Sequence, residues 1–279
     1  MTQTLPSIDS AYREEWHAAR DAREQQRRDP YGYLAYAGFH KLSNTPAHFD
    51  GIPGIWTSGP DGISVLVDSG EQLTVDGRAV TGSYRFAAVR EREFRRVALA
   101  GDVILELSKR GGQDLLRPID PAVGRRVIGS YDHTPAFELS PRWIVEGRFV
   151  PFDELRPTSV DATVGDIVHV HLAAGEVIFS LDGVEHRWLV IARDGQPASA
   201  AGTGVVLFTD ATNVTTTDPR GRSLEVEFPS GPGPVTLDFN HTRNLQRPYT
   251  AFAPCPLSPP QNSTSTAVEA GEQSPVFTA

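Results

Sequence analysis

The chain has a single cysteine, Cys255. One thiol excludes an internal disulfide framework and any cysteine-rich zinc knuckle. Lysine is nearly absent too: Lys41 and Lys109 stand among 26 basic residues. The dominance of arginine reads as base-composition bias, although guanidinium does bind carboxylates well. Positive charge is the minority sign, since 35 Asp and Glu against 26 Lys and Arg leave a formal net charge of -9. A chain this acidic has no bulk attraction for phosphate backbones or anionic lipid, so neither nucleic acid nor a membrane surface is an expected partner. No apolar run approaches the ~18 residues that a membrane span needs. Met1 to Ser10 has neither the basic n-region nor the apolar h-region of a signal peptide, so the expected location is the cytoplasm. Phosphate loops, Walker motifs, serine elbows and nucleic-acid modules are missing as well. Gly202-Thr203-Gly204 precedes a strand and lacks the strand–turn–helix setting of a nucleotide fingerprint.

What remains is a chain of 279 residues, 39% hydrophobic and 22% charged, which suits one large folded domain or two ordinary ones. A helix is expected from about Asp9 to Asp29. Ser7, Asp9 and Ser10 offer capping oxygens, and Tyr12, Trp16 and Ala19 recur at helical spacing. Glu14 and Glu15 sit early and Arg23, Arg27 and Arg28 late, which complements the helix dipole, and Pro30 ends the run. Its one aromatic stripe marks it as lying on a larger body.

From Ile52 to Asn240 the pattern is short strands and tight turns. Strands are expected at Ile63 to Val67, Gln72 to Val75, Tyr84 to Val89, Phe94 to Leu99, Val103 to Leu107 and Leu115 to Ile119. Later ones follow at Val168 to Leu172, Val177 to Leu181, Val184 to Ala192, Val205 to Phe208, Ser223 to Phe228 and Val235 to Asn240. Asp76-Gly77, Gly111-Gly112, Asp182-Gly183 and Asp194-Gly195 are hairpin turns. Around Asp120 to Val127 a short helix or irregular crossover is expected, and Pro118, Pro121, Pro135 and Pro141 make this stretch a boundary. The fold class that follows is mainly β, an antiparallel sandwich or barrel with hairpins plus an N-terminal helix. The expected organisation is 7–47 for the helix and its connection, 48–128 and 129–262 for two β-rich halves, and 263–279 for a flexible tail.

A possible metal motif lies at Gly165 to Glu176. His169 and His171 share one face of a strand, and with Glu176 and Gly183 they resemble the metal-binding strand pair of cupins. The interval from His171 through Glu176 to Gly183 fits that pattern, but Gly165 to His169 is too short and no Pro-Gly-His string follows. Hairpin geometry around Asp182-Gly183 pairs Leu181 with Val184, Phe179 with His186 and Val177 with Trp188, one largely apolar face. A turn at Ala174-Gly175 would add Val168, Val170 and Leu172 to it. His169, His171 and Glu176 then fall on a solvated face with Glu185 and Arg187, away from His186. A metal set of His169, His171 and Glu176 is kept as the alternative, because ligands on an open face lack an enclosing shell.

The C-terminal third carries recognisable strings: Phe208-Thr209-Asp210-Ala211-Thr212, Gly221-Arg222, Leu237-Asp238-Phe239-Asn240, Asn244, Cys255-Pro256-Leu257, Pro259-Pro260, Asn262 and Ala270-Gly271-Glu272. In this order they resemble the family of bacterial and archaeal proteins catalogued as domain of unknown function 1684. The helix with Trp16 and the segment Tyr33 to Leu42 fit it too. The resemblance implies a shared fold and a shared polar cluster, and no reaction. Two departures stand out. Pro219-Arg220-Gly221-Arg222-Ser223 replaces a Gly-Gly-Arg-Tyr-like turn, and Asn244-Leu245-Gln246-Arg247 replaces Asn-Pro-Pro-Cys. The second departure removes a cysteine and puts the cation of Arg247 in its place.

The same residues invite a site without the family. Asp238 and Asn240 alternate with Leu237 and Phe239, so both point to one face, and Asn244 follows with His241, Arg243 and Arg247 around it. Loops held by a rigid sheet are common places for function. The expected catalytic groups are Asp238, Asp210 and His241, an aspartate acting as base if burial raises its pKa. The expected ligand-binding groups are Asn240, Asn244, Arg222 and Arg247. The competing explanation is that Asp and Asn at strand ends cap turns. Cys255 lies between prolines that supply no N–H, which favours a buried structural thiol. Glu269 and Glu272 form a possible acid/base pair or ordinary solvated charges. The expectation is thus a protein that acts on or binds a small polar organic molecule without metal or cofactor, an enzyme being preferred to a simple binder. The alternatives are the cupin-like metal enzyme and a structural or interaction protein whose polar cluster only ties loops together.

Overall fold

The computed structural model describes residues 8–164, 166–193 and 201–278. Helix α1 runs from Ser10 to Arg27. Asp9 caps it by accepting from Tyr12 N at 2.9 Å. The strands are β1 (His40–Lys41), β2 (Ala47–Phe49), β3 (Ile52–Gly59), β4 (Gly62–Val67), β5 (Leu73–Val75), β6 (Arg78–Val80), β7 (Gly82–Arg85), β8 (Phe94–Ala100), β9 (Val103–Arg110) and β10 (Gln113–Ile119). After helix α2 (Pro121–Ser130) come β11 (Tyr131–His133), β12 (Ile144–Asp161), β13 (Val168–Leu181), β14 (Val184–Ala192), β15 (Gly202–Phe208), β16 (Arg222–Phe228), β17 (Gly233–Asp238), β18 (Arg243–Asn244) and β19 (Val276–Phe277). The fold is mainly β with antiparallel sheets, as the hairpin pattern requires. No described helix is long and apolar enough to cross a membrane.

The chain divides into two compact units. One, here the 25–132 unit, also takes in Tyr249–Pro254 and the chain end at Thr278. It holds a six-stranded sheet, β1-β10-β9-β8-β5-β6, and a four-stranded sheet, β2-β3-β4-β7. Strict alternation on β4 buries Ile63, Val65 and Val67, and these pack with Trp56, Phe86, Leu105 and Leu107 in one core. Asp76-Gly77 and Gly111-Gly112 are two-residue turns with positive φ at both positions. Asp120 caps α2, accepting from Ala122 N at 2.7 Å, with Pro121 in the first turn.

The other, the 133–277 unit, includes the chain up to Glu24 but not Tyr249–Pro254. Its seven strands run β17-β12-β13-β14-β15-β16-β18. β16 and β17 lie near opposite ends of that order yet pack side by side, so the sheet curls round on itself as a barrel. The interior is filled by Trp143, Phe149, Phe179, Trp188, Phe208 and Phe239 among others. Phe239 meets Trp188 and Phe208 edge-on. Tyr12, Trp16, Arg20 and Arg23 share one face of α1 and reach Asp238, Asn240, Thr134 and Glu272 of this unit.

Four expectations need correction or completion. β12 was not expected: its charges and Pro151 and Pro157 hide an 18-residue strand, with a register break between Pro151 and Arg156. The pairs Leu181–Val184, Phe179–His186 and Val177–Trp188 form as expected, but Ala174-Gly175 is a bulge inside β13 and makes no turn. Gly175 is needed there for close packing, since a Cβ would lie 2.8 Å from the Phe149 ring. Val168 to Leu172 therefore runs out beyond β14 as a ribbon paired only with β12, so Val168 and Val170 are 46% and 44% exposed while His169 is 3% exposed. The stretch after Asn262, expected to be a flexible tail, has Val268 and Ala270 wholly buried in the barrel core. The Asp194-Gly195 turn lies outside the described residues.

Candidate functional site

The end of β15 delivers Asp210 to the cap of a short turn, Ala211–Val214, where it and Asn213 form a capping box. Asp210 Oδ1 accepts from Thr212 N at 2.8 Å and Val268 N at 3.2 Å. Its Oδ2 takes Arg222 Nη2 at 2.8 Å. Arg222, first residue of β16, is 0% exposed. Its Nη1 donates to the carbonyls of Ala270 (2.6 Å) and Glu272 (3.2 Å), and Nη2 also donates to that of Val268 (2.8 Å). Only its Nε is unpartnered. Burial pulls the guanidinium pKa down, and the charges of Asp210 and then Glu272 work against that.

Asn262 does similar work on neutral groups. The ladder between β14 and β15 covers only Ile191 and Ala192 on the β14 side. Beyond it the Asn262 carboxamide bridges the gap, accepting from Leu189 N at 2.7 Å and donating to the carbonyls of Leu189 (3.0 Å) and Leu207 (2.9 Å). Glu272 receives Arg23 Nε at 3.1 Å and Asn244 N at 3.0 Å, while Asn244 Nδ2 donates to the Gln273 carbonyl at 2.7 Å. Asp210, Arg222, Asn244, Asn262 and Glu272 thus form a clasp that fastens residues 262–273 over the barrel. Both Asp210 oxygens are committed within it.

A second group sits at the end of β17. Asp238 caps the turn Phe239–His241, its Oδ1 accepting from Asn240 N (3.1 Å) and Nδ2 (3.0 Å). Its Oδ2 accepts from Tyr12 OH at 2.7 Å and lies 3.7 Å from His241 Nε2. Asn240 also exchanges bonds with the Ser140 backbone, both at 3.1 Å. Burial, then the bond to Asp238, pushes the Tyr12 phenol well above its ordinary pKa, so it stays a donor. Asp238 and His241 are partly open to solvent, in contrast to Asp210 and Arg222. The structure therefore joins Asp210 with Arg222 and Asn244 in one group and Asp238 with Asn240 and His241 in another. Arg247 is half-buried in the loop after β18.

The remaining sequence candidates are dispersed. His169 and His171 stack at 5.7 Å, while Glu176, across the β13 bulge, lies 3.9 Å from Arg187. Among the described residues no three His, Cys, Asp or Glu side chains converge as a metal set. His186 packs between Phe179 and Trp188 with Thr264 at 3.4 Å, and burial lowers its pKa. Cys255 is buried, its N–H bonded to Thr163 Oγ1 at 3.1 Å.

The family model for a protein of unknown function (DUF1684) matches residues 129–273, the segment that contains the barrel and its clasp. The chain belongs to this family. A solution structure of an uncharacterized protein from Haloarcula marismortui is similar at 29% identity, over 51% of this chain and 76% of that one, with a TM-score of 0.42. Among curated proteins none matches.

The DUF1684 match begins at residue 129 and so leaves most of the 25–132 unit outside it, and sequence reasoning singled out no site residue there. That unit contains an open cleft of about 550 Å³ between the edge strands of its two sheets. Phe49, Ile52, Val103 and Pro118 give it apolar surface, and His40, His48, Asp50 and Asp120 supply its polar groups. The rings of His40 and Phe49 lie 4.3 Å apart at a 33° tilt, and burial lowers the His40 pKa. These residues come from separate strands and turns with no motif linking them, so only the folded sheets collect them.

Proposed function

We propose that this DUF1684 protein binds a small organic molecule, that the cleft of the 25–132 unit receives it, and that the Asp210–Arg222 cluster is the fastening of the barrel. The observation that carries this is a contrast in commitment. Both oxygens of Asp210 and all three hydrogen bonds of the Asn262 carboxamide are used inside the fold, whereas the cleft gathers apolar surface beside imidazoles and carboxylates, of which Asp120 gives its Oδ1 to the α2 cap. With His40 held neutral by burial, Asp50 and Asp120 set the sign of the cleft. A ligand with an apolar body and a cationic group suits it best. Ligand-observed NMR with benzylamine, and with benzoate as the opposite charge, tests this on the full chain. Benzylamine is expected to bind, and to bind several-fold more weakly after Asp120→Asn or His40→Ala. Equal binding of both probes, or no effect of either substitution, would reject the cleft. Binding lost in Asp238→Asn and kept in both cleft variants would move the site to the open end of β17.

A further inference from the structure

The face of the six-stranded sheet opposite its core carries a second set of polar groups that the cleft does not use. Alternation on β9 puts Leu105 and Leu107 in the core and Glu106, Ser108 and Arg110 on the other face. The ladders place Arg96 of β8 and Arg117 of β10 on either side of Glu106. Glu106 is buried, pairs with Arg117 and accepts from Tyr36 OH at 3.1 Å, and the Arg117 guanidinium lies over the Tyr36 ring at 4.2 Å.

The charges on this face do not balance. Three guanidiniums share the buried carboxylate of Glu106 and, near Arg110, the exposed one of Glu91, and two of the three are spent on neutral carbonyls. Arg96 donates to Tyr31 O at 2.7 Å, and Arg110 to Glu93 O at 2.8 Å and Lys109 O at 2.7 Å. Burial, and after it the like charge of Arg117, lowers the Arg110 pKa. Between Arg110 and Glu106 lies Ser108, 0% exposed, whose Oγ has no hydrogen-bond partner among the described residues, and Arg117 Nε has none among them either. Buried donors without acceptors are costly, so an acceptor from outside the chain would be stabilised here. Across the ladder Phe94 pairs with Ser108 and Arg96 with Glu106, and both of these β8 residues are exposed, Phe94 at 56%.

We infer that this face is an oxyanion site, taking the carboxylate or phosphate group of a small molecule between Arg96, Arg110 and Arg117 with Ser108 as a further donor. Guanidinium forks and a hydroxyl supply N–H and O–H donors to an anion's oxygens, and a negative charge there relieves the repulsion between Arg110 and Arg117.

The test is thermal unfolding and calorimetry of the full chain with inorganic phosphate, sulfate or malonate, chloride at equal ionic strength being the control. A saturable rise in Tm beyond that in chloride is expected, with phosphate and malonate separating the two anion classes. Arg110→Gln should weaken binding about tenfold or more, the loss of one charge-assisted contact, and Ser108→Ala by less. Each variant is read as its rise in Tm over its own value in chloride, so the loss of the Arg110 bonds to the Glu93 and Lys109 carbonyls does not enter the comparison. A response equal to that of chloride, meaning ionic strength only, would overturn the proposal. So would phosphate binding unchanged in both variants. Benzylamine binding in the cleft should survive Arg110→Gln, so this inference and the cleft reading fail separately.

Discussion

Two buried arginines, one in each unit, face a buried carboxylate and yet sit in opposite circumstances. Arg222 has Asp210 plus three backbone carbonyls, and both its terminal nitrogens are fully used. Arg117 has Glu106, but it shares that carboxylate's surroundings with Arg96 and Arg110, and Ser108 beside it lacks an acceptor. The first arrangement is closed: charge is balanced and the partners are the segment being held. The second is open, with an excess of donors and of positive charge. A buried ion pair by itself therefore says little about role, and the groups around it decide.

The largest effect that could break this contrast is Arg222→Met. It strands a buried carboxylate and three carbonyls and is expected to cost about 3–5 kcal/mol, read by urea unfolding. Adding Asp210→Asn should restore part of the loss, and a parent-like single variant would refute the clasp. Glu106→Gln is expected to cost about 3 kcal/mol in the same assay, and phosphate should stabilise this variant by more than it stabilises the parent, since the competing carboxylate is gone. Asn262→Ala leaves the Leu189 and Leu207 backbone groups unpaired, at about 1–3 kcal/mol. Hydrogen exchange should show the loss at Leu189 N–H first. Tyr12→Phe removes the donor to Asp238 at about 0.5–1.5 kcal/mol, seen as a small fall in Tm. The smallest effect concerns pH. His40 has its pKa lowered by burial, so it favours the neutral form. Its contribution to stability is complete above about pH 6.5 and is lost as pH falls through the depressed folded value. His40→Gln should flatten the decline of Tm in that acid window, and parallel curves would contradict it.

Much of the fold was legible because its signals are local. Asp76-Gly77, Gly111-Gly112 and Asp182-Gly183 tolerate positive φ and join paired strands, those around Asp182-Gly183 in the predicted register. The helix declared itself through Asp9, Tyr12 and Trp16. The failures share a cause. Gly175 reads as a turn in sequence, but it is required by the Phe149 ring pressed against it, a contact between strands far apart in the chain. The prolines of β12 read as loop, yet one of them lies at a register break where its missing N–H is tolerated. The Asp210 to Glu272 strings were visible, and the two groups they form were not, because which carboxylate meets Arg222 is set by the path of the 262–273 segment.

The sequence by itself determined the mainly β class, the hairpin turns, the N-terminal helix and the resemblance to the family, because propensity, alternation and turn chemistry act over a few residues. Only the tertiary structure decided that Val268 and Ala270 are core, that His169 is buried while Val168 is exposed, and that His40, Asp50 and Asp120 line one cleft. Those outcomes depend on how far each strand runs beyond its neighbours and on which distant segments close over it. A buried polar group must find its partner wherever the whole fold places one.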